Sequence, residues 1–324
     1  MNKILILSND NDYSTTKVIR WMNYIDNSIE VIRFDILDIE NLNQIGISSY
    51  MQINNSLSFY TNDICVVWTR KLSDLIIDDT IIDANMLTEN KNNIVKNLKE
   101  EFDTIIEFLY FQIERSNSYW LNKPKYNYPN KLEQLYIAKQ LGFNTPNTII
   151  STNKNNVQEF SNLITKSLRS GIRYNIKGEI YSSYTSRLKK ELLANDFFIS
   201  LFQEEIEKEL ELRVFYLDGK CYTIAILSQN NKQTEVDYRQ YDHSNANRNE
   251  LYNLPNELED LIVKFMDRMN LQTGSLDFIL NRKGDYIFLE VNPSGQYDIF
   301  NKCNIYPDKL IAEHLIKKYY EYKR

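Results

Sequence analysis

Two segments near the C-terminal end of the chain carry acidic side chains inside apolar runs. They are Gly274–Leu280 and Tyr286–Val291, and they are joined across Lys283-Gly284. A two-residue turn at that junction predicts an antiparallel hairpin in which Asp277 faces Glu290. The apolar neighbours of both acids set the core face of this hairpin and place the carboxylates on the opposite face.

Facing carboxylates repel each other, so the pair needs a compensating cation. Asn292 lies two residues after Glu290, on the same face of the strand, and adds a third oxygen. Mg²⁺ prefers such oxygen ligands together with substrate phosphates. The alternative is a sheet-edge hairpin with its acids in solvent, but the apolar flanks favour a metal site. With two histidines in the chain, a zinc site or a histidine-based triad has little material.

Length and composition bound the class of protein. A chain of 324 residues predicts two or three domains, and a net charge of -6 makes nucleic acid an unfavoured partner. The first strand begins close to Met1, and no run of 18 apolar residues exists. We therefore expect no signal peptide, no membrane span and a cytoplasmic protein. Cys65, Cys221 and Cys303 are an odd number at wide spacing, which predicts reduced thiols.

The order of strands and helices predicts a mixed α/β and α+β chain. Strand, helix and strand in Lys3–Phe34 indicate a parallel sheet, although the first loop lacks the glycines of a dinucleotide site. A proline-containing break at Trp120–Pro129 indicates a boundary. The predicted domains are an N-terminal domain at 1–121, a small middle domain at 122–200 and a C-terminal domain at 201–324.

Local patterns predict the remaining elements. The predicted strand Ile64–Trp68 is followed by Thr69, Arg70 and Lys71, which places two cations where open α/β sheets bind ligands, although a solvated strand end explains them equally well. An Asp218-Gly219 hairpin turn is also predicted. Helices are expected at Ile94–Ile113, Lys131–Leu141 (capped by Gly142), Val157–Leu163, Ser186–Ala194 and Leu258–Met269.

The acidic hairpin resembles the metal-binding signature of ATP-grasp ligases. The matching residues are Asp277 in Gly-Ser-Leu-Asp-Phe and the run Leu-Glu-Val-Asn-Pro-Ser-Gly over 289–295. The resemblance implies an ATP-grasp fold with a Rossmann-like N-terminal pre-grasp domain, a small middle domain and a C-terminal ATP-grasp domain. It also implies that Asp277, Glu290 and Asn292 hold two Mg²⁺ ions on the phosphates of ATP.

The family's other positions follow in the expected order. Lys131 and Lys166 resemble its phosphate-contacting lysines, Gln203-Glu204-Glu205-Ile206 its adenine hinge and Glu211 its ribose-binding acid. Arg213 resembles the arginine that neutralises the transferring phosphoryl group. The chain departs from the pattern in having few glycines after Lys166, where family members often carry a glycine-rich loop that closes over the phosphates.

Within this class the chain is most similar to graspetide synthetases, the microviridin-type peptide macrocyclases, and in particular to the grasp-with-spasm systems. The matching segments are Val67–Arg70, Asn122–Pro124, Asn130–Leu132, Glu211–Arg213, Val236–Arg239 and Glu290–Tyr297. The resemblance implies that ATP phosphorylates Asp or Glu side chains of a ribosomal precursor peptide, which has a leader and a core rich in Thr, Asp and Glu. A Thr or Ser hydroxyl or a Lys amine then closes an ω-ester or ω-amide ring.

Substrate contacts are predicted mainly around Arg239, whose guanidinium suits an acceptor carboxylate. Asp237 either orients that arginine or acts as a base, and a surface ion pair explains both residues equally well. By family analogy Ser294 and Gln296 line the acyl site, and a strand within 176–184 accepts the leader. The family also makes a homodimer an option for this chain.

Two other functions share these residues. One is an ATP-grasp ligase for amino acids or small peptides, like glutamate ligases and glutathione synthetase. The other is a catalytically silent, nucleotide-dependent peptide-binding module. The intact set of Asp277, Glu290, Asn292, Lys131 and Lys166 argues against the silent module, because a dead enzyme is expected to have lost one of them.

Overall fold

The computed structural model describes residues 2–35, 44–45, 50–52, 58–72, 77, 86–169, 173–176, 179–182, 185–227 and 248–323. The chain divides into two compact units. One unit combines Met1–Pro124 with Tyr306–Arg324, and the other is Lys125–Ile305. The predicted domain boundaries at 122 and 201 stay predictions.

The first unit is built on a parallel sheet. In chain order its strands are β1 (Lys3–Leu7), β2 (Glu30–Phe34), β3 (Gln44–Ile45), β4 (Tyr50–Gln52), β5 (Ser58–Tyr60), β6 (Ile64–Thr69) and β7 (Tyr119–Leu121). Its helices are α1 (Tyr13–Ile25), α2 (Thr88–Arg115) and, from the C-terminal segment, α5 (Pro307–Tyr322). Strands β2, β1, β6 and β7 lie side by side and parallel, as the sequence predicts, while β3, β4 and β5 form a separate antiparallel sheet.

The apolar runs of the first unit explain its layers. Strand β6 is buried at every position, and β1 is buried from Ile4 onwards, as expected for parallel strands covered on both faces. Helix α5 packs against α1 and against β1, β6 and β7. The unit therefore takes its last helix from the far end of the chain.

The second unit is mainly antiparallel. Its strands are β8 (Thr148–Asn153), β9 (Leu163–Thr165), β10 (Arg173–Ile176), β11 (Glu179–Ser182), β12 (Ser186–Leu188), β13 (Asp196–Glu204), β14 (Lys208–Leu217), β15 (Lys220–Leu227), β16 (Arg248–Leu251), β17 (Thr273–Asn281) and β18 (Tyr286–Asn292). Its helices are α3 (Lys131–Leu141) and α4 (Asn256–Arg268). Three sheets result, with strand orders β12-β9-β13-β8, β10-β11 and β16-β15-β14-β17-β18.

Turn residues predicted several of these boundaries, and two predicted helices are wrong. Gly142 ends α3 with a φ of 98°, and Asp218 and Gly219 join β14 to β15 with φ values of 44° and 87°. The segment expected as a helix at Val157–Leu163 instead runs from the end of a 3-10 turn (Lys154–Val157) to the first residue of β9, and the one at Ser186–Ala194 is β12 followed by a 3-10 turn (Lys190–Leu192). Pairing of these two strands with each other outweighs their weak local periodicity.

The five-stranded sheet has one core face. Its core residues alternate along β14 and β17, and with residues of β18 they pack against α3 and α4. They include Leu212, Val214, Leu276, Phe278, Phe288, Val291, Ile262, Phe265 and Met266. Because side chains alternate along a strand, the residues between them, including Arg213 and Asp277, lie on the opposite face.

Candidate nucleotide and metal site

The predicted register of the acidic hairpin is confirmed at its central pair. Asp277 on β17 lies opposite Glu290 on β18. The turn differs from the prediction, because the strands already pair at Leu280 and Tyr286, with Gly284 at a φ of 88° in the connecting loop. A bulge between Asp277 and Phe278 on one strand and the facing residues of β18 corrects the offset.

The bulge also changes which residues of β18 are buried. Phe288 and Val291 are the core residues, while Leu289, expected in the core, is only half-buried. Leu289 is the extra residue, since Phe278 pairs with Phe288 and Asp277 with Glu290. The core therefore takes residues three apart on this strand, which a regular strand cannot provide.

Arg213 lies on the neighbouring strand, directly opposite Asp277. Its Nη1 donates to Asp277 Oδ1 at 3.0 Å, and its Nη2 donates to the Gln296 carbonyl at 2.9 Å. The arginine is 7% exposed, so these two partners offset the free-energy cost of burying its charge. One guanidinium thus joins the acidic hairpin to the loop that follows β18.

Lys131 reaches Glu290 from the first turn of α3. Its Nζ lies 3.1 Å from Glu290 Oε2 and donates to the Ser167 carbonyl at 3.0 Å. Asn130 caps the helix by accepting a bond from the Leu132 N–H at 2.9 Å, so the lysine leaves a fixed helix start. Lys166 directly follows β9, not within it as expected, and its neighbour Ser167 brings that segment beside Lys131.

Glu211, the predicted ribose-binding acid, forms a buried ion pair with Lys208. A bulge near Leu210 places these two residues on one face of β14, although their numbers differ by three. Lys208 was not predicted as a site residue. The only sequence signal for it is a lysine in the charged run before Glu211.

The predicted adenine hinge joins β13 to β14. Its side chains hold the connection in place: Gln203 Nε2 donates to Thr148 Oγ1 at 2.8 Å, and Glu204 accepts from the Asn147 N–H at 2.9 Å. Glu205 takes two bonds from Arg187 Nε, at 2.8 and 2.9 Å. Ile206 follows, half-buried. The Glu205 N–H also donates to the Asn162 carbonyl at 3.1 Å. These contacts fix the connection within the protein, and the reading of adenine by its backbone stays a prediction.

The loop after β18 is folded on itself. Asn292 Oδ1 accepts from the Ser294 N–H at 3.1 Å, and the Gly295 N–H donates to the Asn292 carbonyl at 3.1 Å. A Cβ at Gly295 would lie 2.9 Å from Ser275 Cβ, so only glycine fits. Ser294 is buried and Gln296 is exposed, and the Gln296 carbonyl binds Arg213.

Arg70 has a structural partner in the first unit. Its Nε lies 3.2 Å from Asp12 Oδ2, and the two residues are 3% and 8% exposed. Burial alone would raise the pKa of Asp12, but Arg70, the Thr15 hydroxyl and Lys71 together hold that pKa below 3.8. Arg70 therefore lies in a buried ion pair and not at a solvated strand end. Asp237 and Arg239 lie outside the described residues.

The donor set suits a magnesium–phosphate ligand. The described residues contain no group of three His, Cys, Asp or Glu side chains that could hold a metal alone. Asp277, Glu290 and Asn292 supply two carboxylates and an amide, and each carboxylate has a cation beside it, Arg213 or Lys131. Mg²⁺ commonly takes one or two carboxylates and completes its shell with phosphates and water. Cationic side chains such as these are also the groups that bind phosphate oxygens.

Comparison with known families decides the class. The family described as RimK-like ATP-grasp domain matches residues 129–315. The chain belongs to this family. It is an ATP-grasp ligase, and enzymes of this class use ATP with Mg²⁺. The match includes the acidic hairpin, the hinge and the helix that carries Lys131.

Solved structures share the fold of this ATP-grasp chain over nearly its whole length. The RiPP-associated ATP-grasp ligase of Chryseobacterium gregarium, solved with ADP and a leader and core peptide, has a TM-score of 0.79 at 24% identity, covering 98% of this chain and 97% of its own. Macrocyclase MdnC of Microcystis aeruginosa MRC, bound with precursor peptide MdnA, has a TM-score of 0.75 at 24% identity, with coverages of 97% and 99%. The ligase PsnB, complexed with a minimal precursor, Mg and ADP, has a TM-score of 0.72 at 17% identity, with both coverages 98%.

Two other comparisons are negative. No curated protein matches the sequence of this ATP-grasp chain. Among the described residues, none of the helices has the length and apolar content needed to cross a membrane.

Proposed function

We propose that this ATP-grasp ligase activates Asp or Glu side chains of a ribosomal precursor peptide and closes ω-ester or ω-amide rings with Thr, Ser or Lys. The observation that carries the proposal is the charge arrangement at the hairpin. Arg213 lies 3.0 Å from Asp277, and Lys131 lies 3.1 Å from Glu290. The fold of the chain matches those of two peptide-bound ligases over nearly its whole length.

The likeness to peptide ligases exceeds that to a ligase of small amino acids. The D-alanyl-alanine synthetase A of Vibrio cholerae has a TM-score of 0.57 at 14% identity, against 0.79 for the Chryseobacterium ligase. This difference favours a peptide substrate over the amino-acid ligase alternative. All of these likenesses concern the fold, so the substrate itself is a proposal.

In the first step a peptide carboxylate oxygen attacks the γ-phosphorus of ATP, and the bond between that phosphorus and the β,γ-bridging oxygen breaks. ADP departs, and the peptide carries an acyl phosphate. Lys131, Lys166 and Arg213 bind the phosphoryl oxygens, and Glu211 binds the ribose hydroxyls. Bound Mg²⁺, as two ions held by Asp277, Glu290 and Asn292, would offset the phosphate charge. These residues mainly position groups and stabilise charge, which is most of what phosphoryl transfer requires.

In the second step a hydroxyl or amine of the same peptide attacks the acyl carbon, and phosphate leaves. The attacking group loses one proton to a base. We assign Arg239 to the acceptor carboxylate, and Asp237 to orienting it or to taking that proton. Ser294 and Gln296, on the loop held by Arg213, line the acyl site in this scheme. The ring closes with the net loss of one water from the peptide.

We place leader binding at the two-stranded sheet of β10 and β11. Within the described residues this sheet pairs β10 with β11 alone, and an extended peptide can add to such a sheet as a third strand. The predicted docking segment, 176–184, overlaps these strands but lies partly outside the described residues. A homodimer stays an option that sedimentation would test.

Mass spectrometry of a precursor peptide tests the function. The enzyme is incubated with ATP, Mg²⁺, a mixture of free amino acids and a leader–core peptide rich in Thr, Asp and Glu, and each ring should remove one water while one ADP forms. Addition of a free amino acid to the peptide would support the amino-acid ligase instead. Peptide binding without ADP formation, over a range of precursor sequences, would support the silent module and end the proposal.

A further inference from the structure

Strand β18 is the edge of its sheet, and its outer side is covered by two unlike partners. The Phe288 N–H donates to the Asn144 carbonyl at 2.8 Å, and the Val291 N–H donates to the Gln134 side-chain Oε1 at 2.7 Å. In a regular strand, N–H groups that point the same way are two residues apart. These two are three apart, so the bulge at Leu289 is what turns the Val291 N–H outward.

Gln134 is a buried amide with both ends bonded. It is 2% exposed, and its Nε2 donates to the Pro129 carbonyl at 3.1 Å. Its own N–H donates to the Asn130 carbonyl at 3.0 Å. The side chain therefore fixes the segment that enters α3 and, at the same time, the residue between Glu290 and Asn292. Lys131 lies within the part of the chain that this amide holds.

We infer that Gln134 is a positioning residue that sets the distance between Lys131 and Glu290. The inference rests on the proposed ATP site, because the pair it sets is the lysine and carboxylate assigned to phosphate and metal. Partners one step removed from metal ligands commonly control affinity by orienting those ligands. Gln134 does so through the backbone of β18 and the first turn of α3.

Packing alone does not require this amide. Helix α3 also places Leu135 and Ala138 in the core of the second unit. The helix therefore stays on the sheet without the bond to Val291, and what that bond adds is register between α3 and β18. If Gln134 positions the site, its substitution should change ligand affinity, whereas substitution of the core residue Leu135 should change only the stability of the fold.

The test compares Gln134→Met with two controls on the same helix. Gln134→Met keeps the chain length of the side chain and removes both hydrogen bonds. Gln140→Met makes the same change at an exposed position, and Leu135→Ala weakens core packing without touching the Val291 bond. Calorimetry gives the Kd of Mg–ADP, a Mg²⁺ titration of ATP hydrolysis gives the half-saturating concentration, and thermal unfolding gives Tm.

Gln134→Met should raise the Kd of Mg–ADP and the half-saturating Mg²⁺ by about 10-fold to 100-fold. Leu135→Ala should lower Tm and leave both ligand constants unchanged, and Gln140→Met should change nothing. In a Lys131→Met background, Gln134→Met should add little further loss, because the group that it positions is gone. An unchanged Kd in Gln134→Met, an equal loss in Leu135→Ala, or full additivity with Lys131→Met would overturn the inference.

Two further outcomes are separable. Should Gln134→Met not fold, Gln134→Glu serves instead, since it keeps an acceptor for the Val291 N–H and loses the donor to Pro129. A Kd for Mg–ADP equal to that of the wild type would then overturn the inference, because the bond to the Pro129 carbonyl is half of the link that the amide makes between α3 and β18. If the wild type itself does not bind Mg–ADP, the proposed function fails and not the positioning role.

Discussion

Removing the charge of Asp277 gives the sharpest test of the metal site. Asp277→Asn keeps an oxygen that can accept from Arg213 Nη1, which lies 3.0 Å away in the wild type. The Asp277 side chain is 19% exposed, and Arg213 keeps its bond to the Gln296 carbonyl, so without ligand the variant should lose about 1 to 2 kcal/mol of unfolding free energy, less than the loss of a fully buried pair. Relief of the repulsion between Asp277 and Glu290 offsets part of that loss.

Asp277→Asn should lose more of the stabilisation that Mg–ADP adds than of the stability of the ligand-free protein. With Mg–ADP at about 100 times its Kd, the wild type gains about 2.7 kcal/mol. For a unit the length of Lys125–Ile305 this raises Tm by about 5 to 10 °C. Asp277→Asn removes one of two carboxylates from the predicted Mg²⁺ site, so its Tm should rise much less at the same ligand concentrations. Differential scanning fluorimetry with ADP, with and without Mg²⁺, measures both shifts.

Asp285→Asn is the matched control. Asp285 is exposed in the turn of the same hairpin and accepts a bond from Asn281 Nδ2 at 3.0 Å. The substitution removes one charge from the same two strands but lies outside the predicted site, so its Mg²⁺-dependent shift should equal that of the wild type. A full Mg²⁺-dependent shift in Asp277→Asn, at unchanged Kd, would refute the assignment of Asp277 as a ligand.

Substitutions at three other places in the chain test further contacts. Asp12→Asn removes the charged partner of the buried Arg70 and should cost about 3 kcal/mol of unfolding free energy at pH 7. Because the folded-state pKa of Asp12 is depressed, its stabilisation is present above its unfolded pKa of about 3.8 and is lost as the pH falls through the folded value. Urea titrations should therefore show the stabilities of the wild type and the variant converging at low pH, and a constant difference would contradict this. Glu211→Gln should raise the KM for ATP about tenfold and leave the KM for the peptide unchanged. Lys208→Met should raise the KM for ATP in the same way if the Lys208 side chain holds Glu211 in place. Steady-state kinetics separate the two KM values. Gly295→Ala should lower Tm, because its Cβ meets Ser275 at 2.9 Å, and Ser275→Gly in the same chain should recover part of the loss.

The sequence predicted the site's centre better than its surroundings. Asp277 faces Glu290 because the apolar residues on both strands leave little choice of face, and the offset at the turn is cancelled by the bulge at Leu289. The ends of α3 were predictable, since Asn130 and Gly142 are local capping signals. Such signals act within a few residues, and a single sequence contains them in full.

What the sequence could not provide depends on contacts between distant residues. The bulge, the bond from Val291 to Gln134 and the pair of Arg70 with Asp12 each depend on tertiary packing. Strand β12 is a strand because β9 lies beside it, and its own residues do not enforce that choice. Arg239 and Asp237 lie outside the described residues, so their roles depend on the sequence alone.

The position of α5 has a consequence for biosynthesis. Its residues, 307–322, complete a unit whose strands are made before residue 125, while all of Lys125–Ile305 is made in between. A ribosome therefore synthesises all of Lys125–Ile305 before the helix that completes the N-terminal unit is made. Until then the apolar surface that α5 will cover is open to solvent, and a chain terminated before Tyr306 would keep it so.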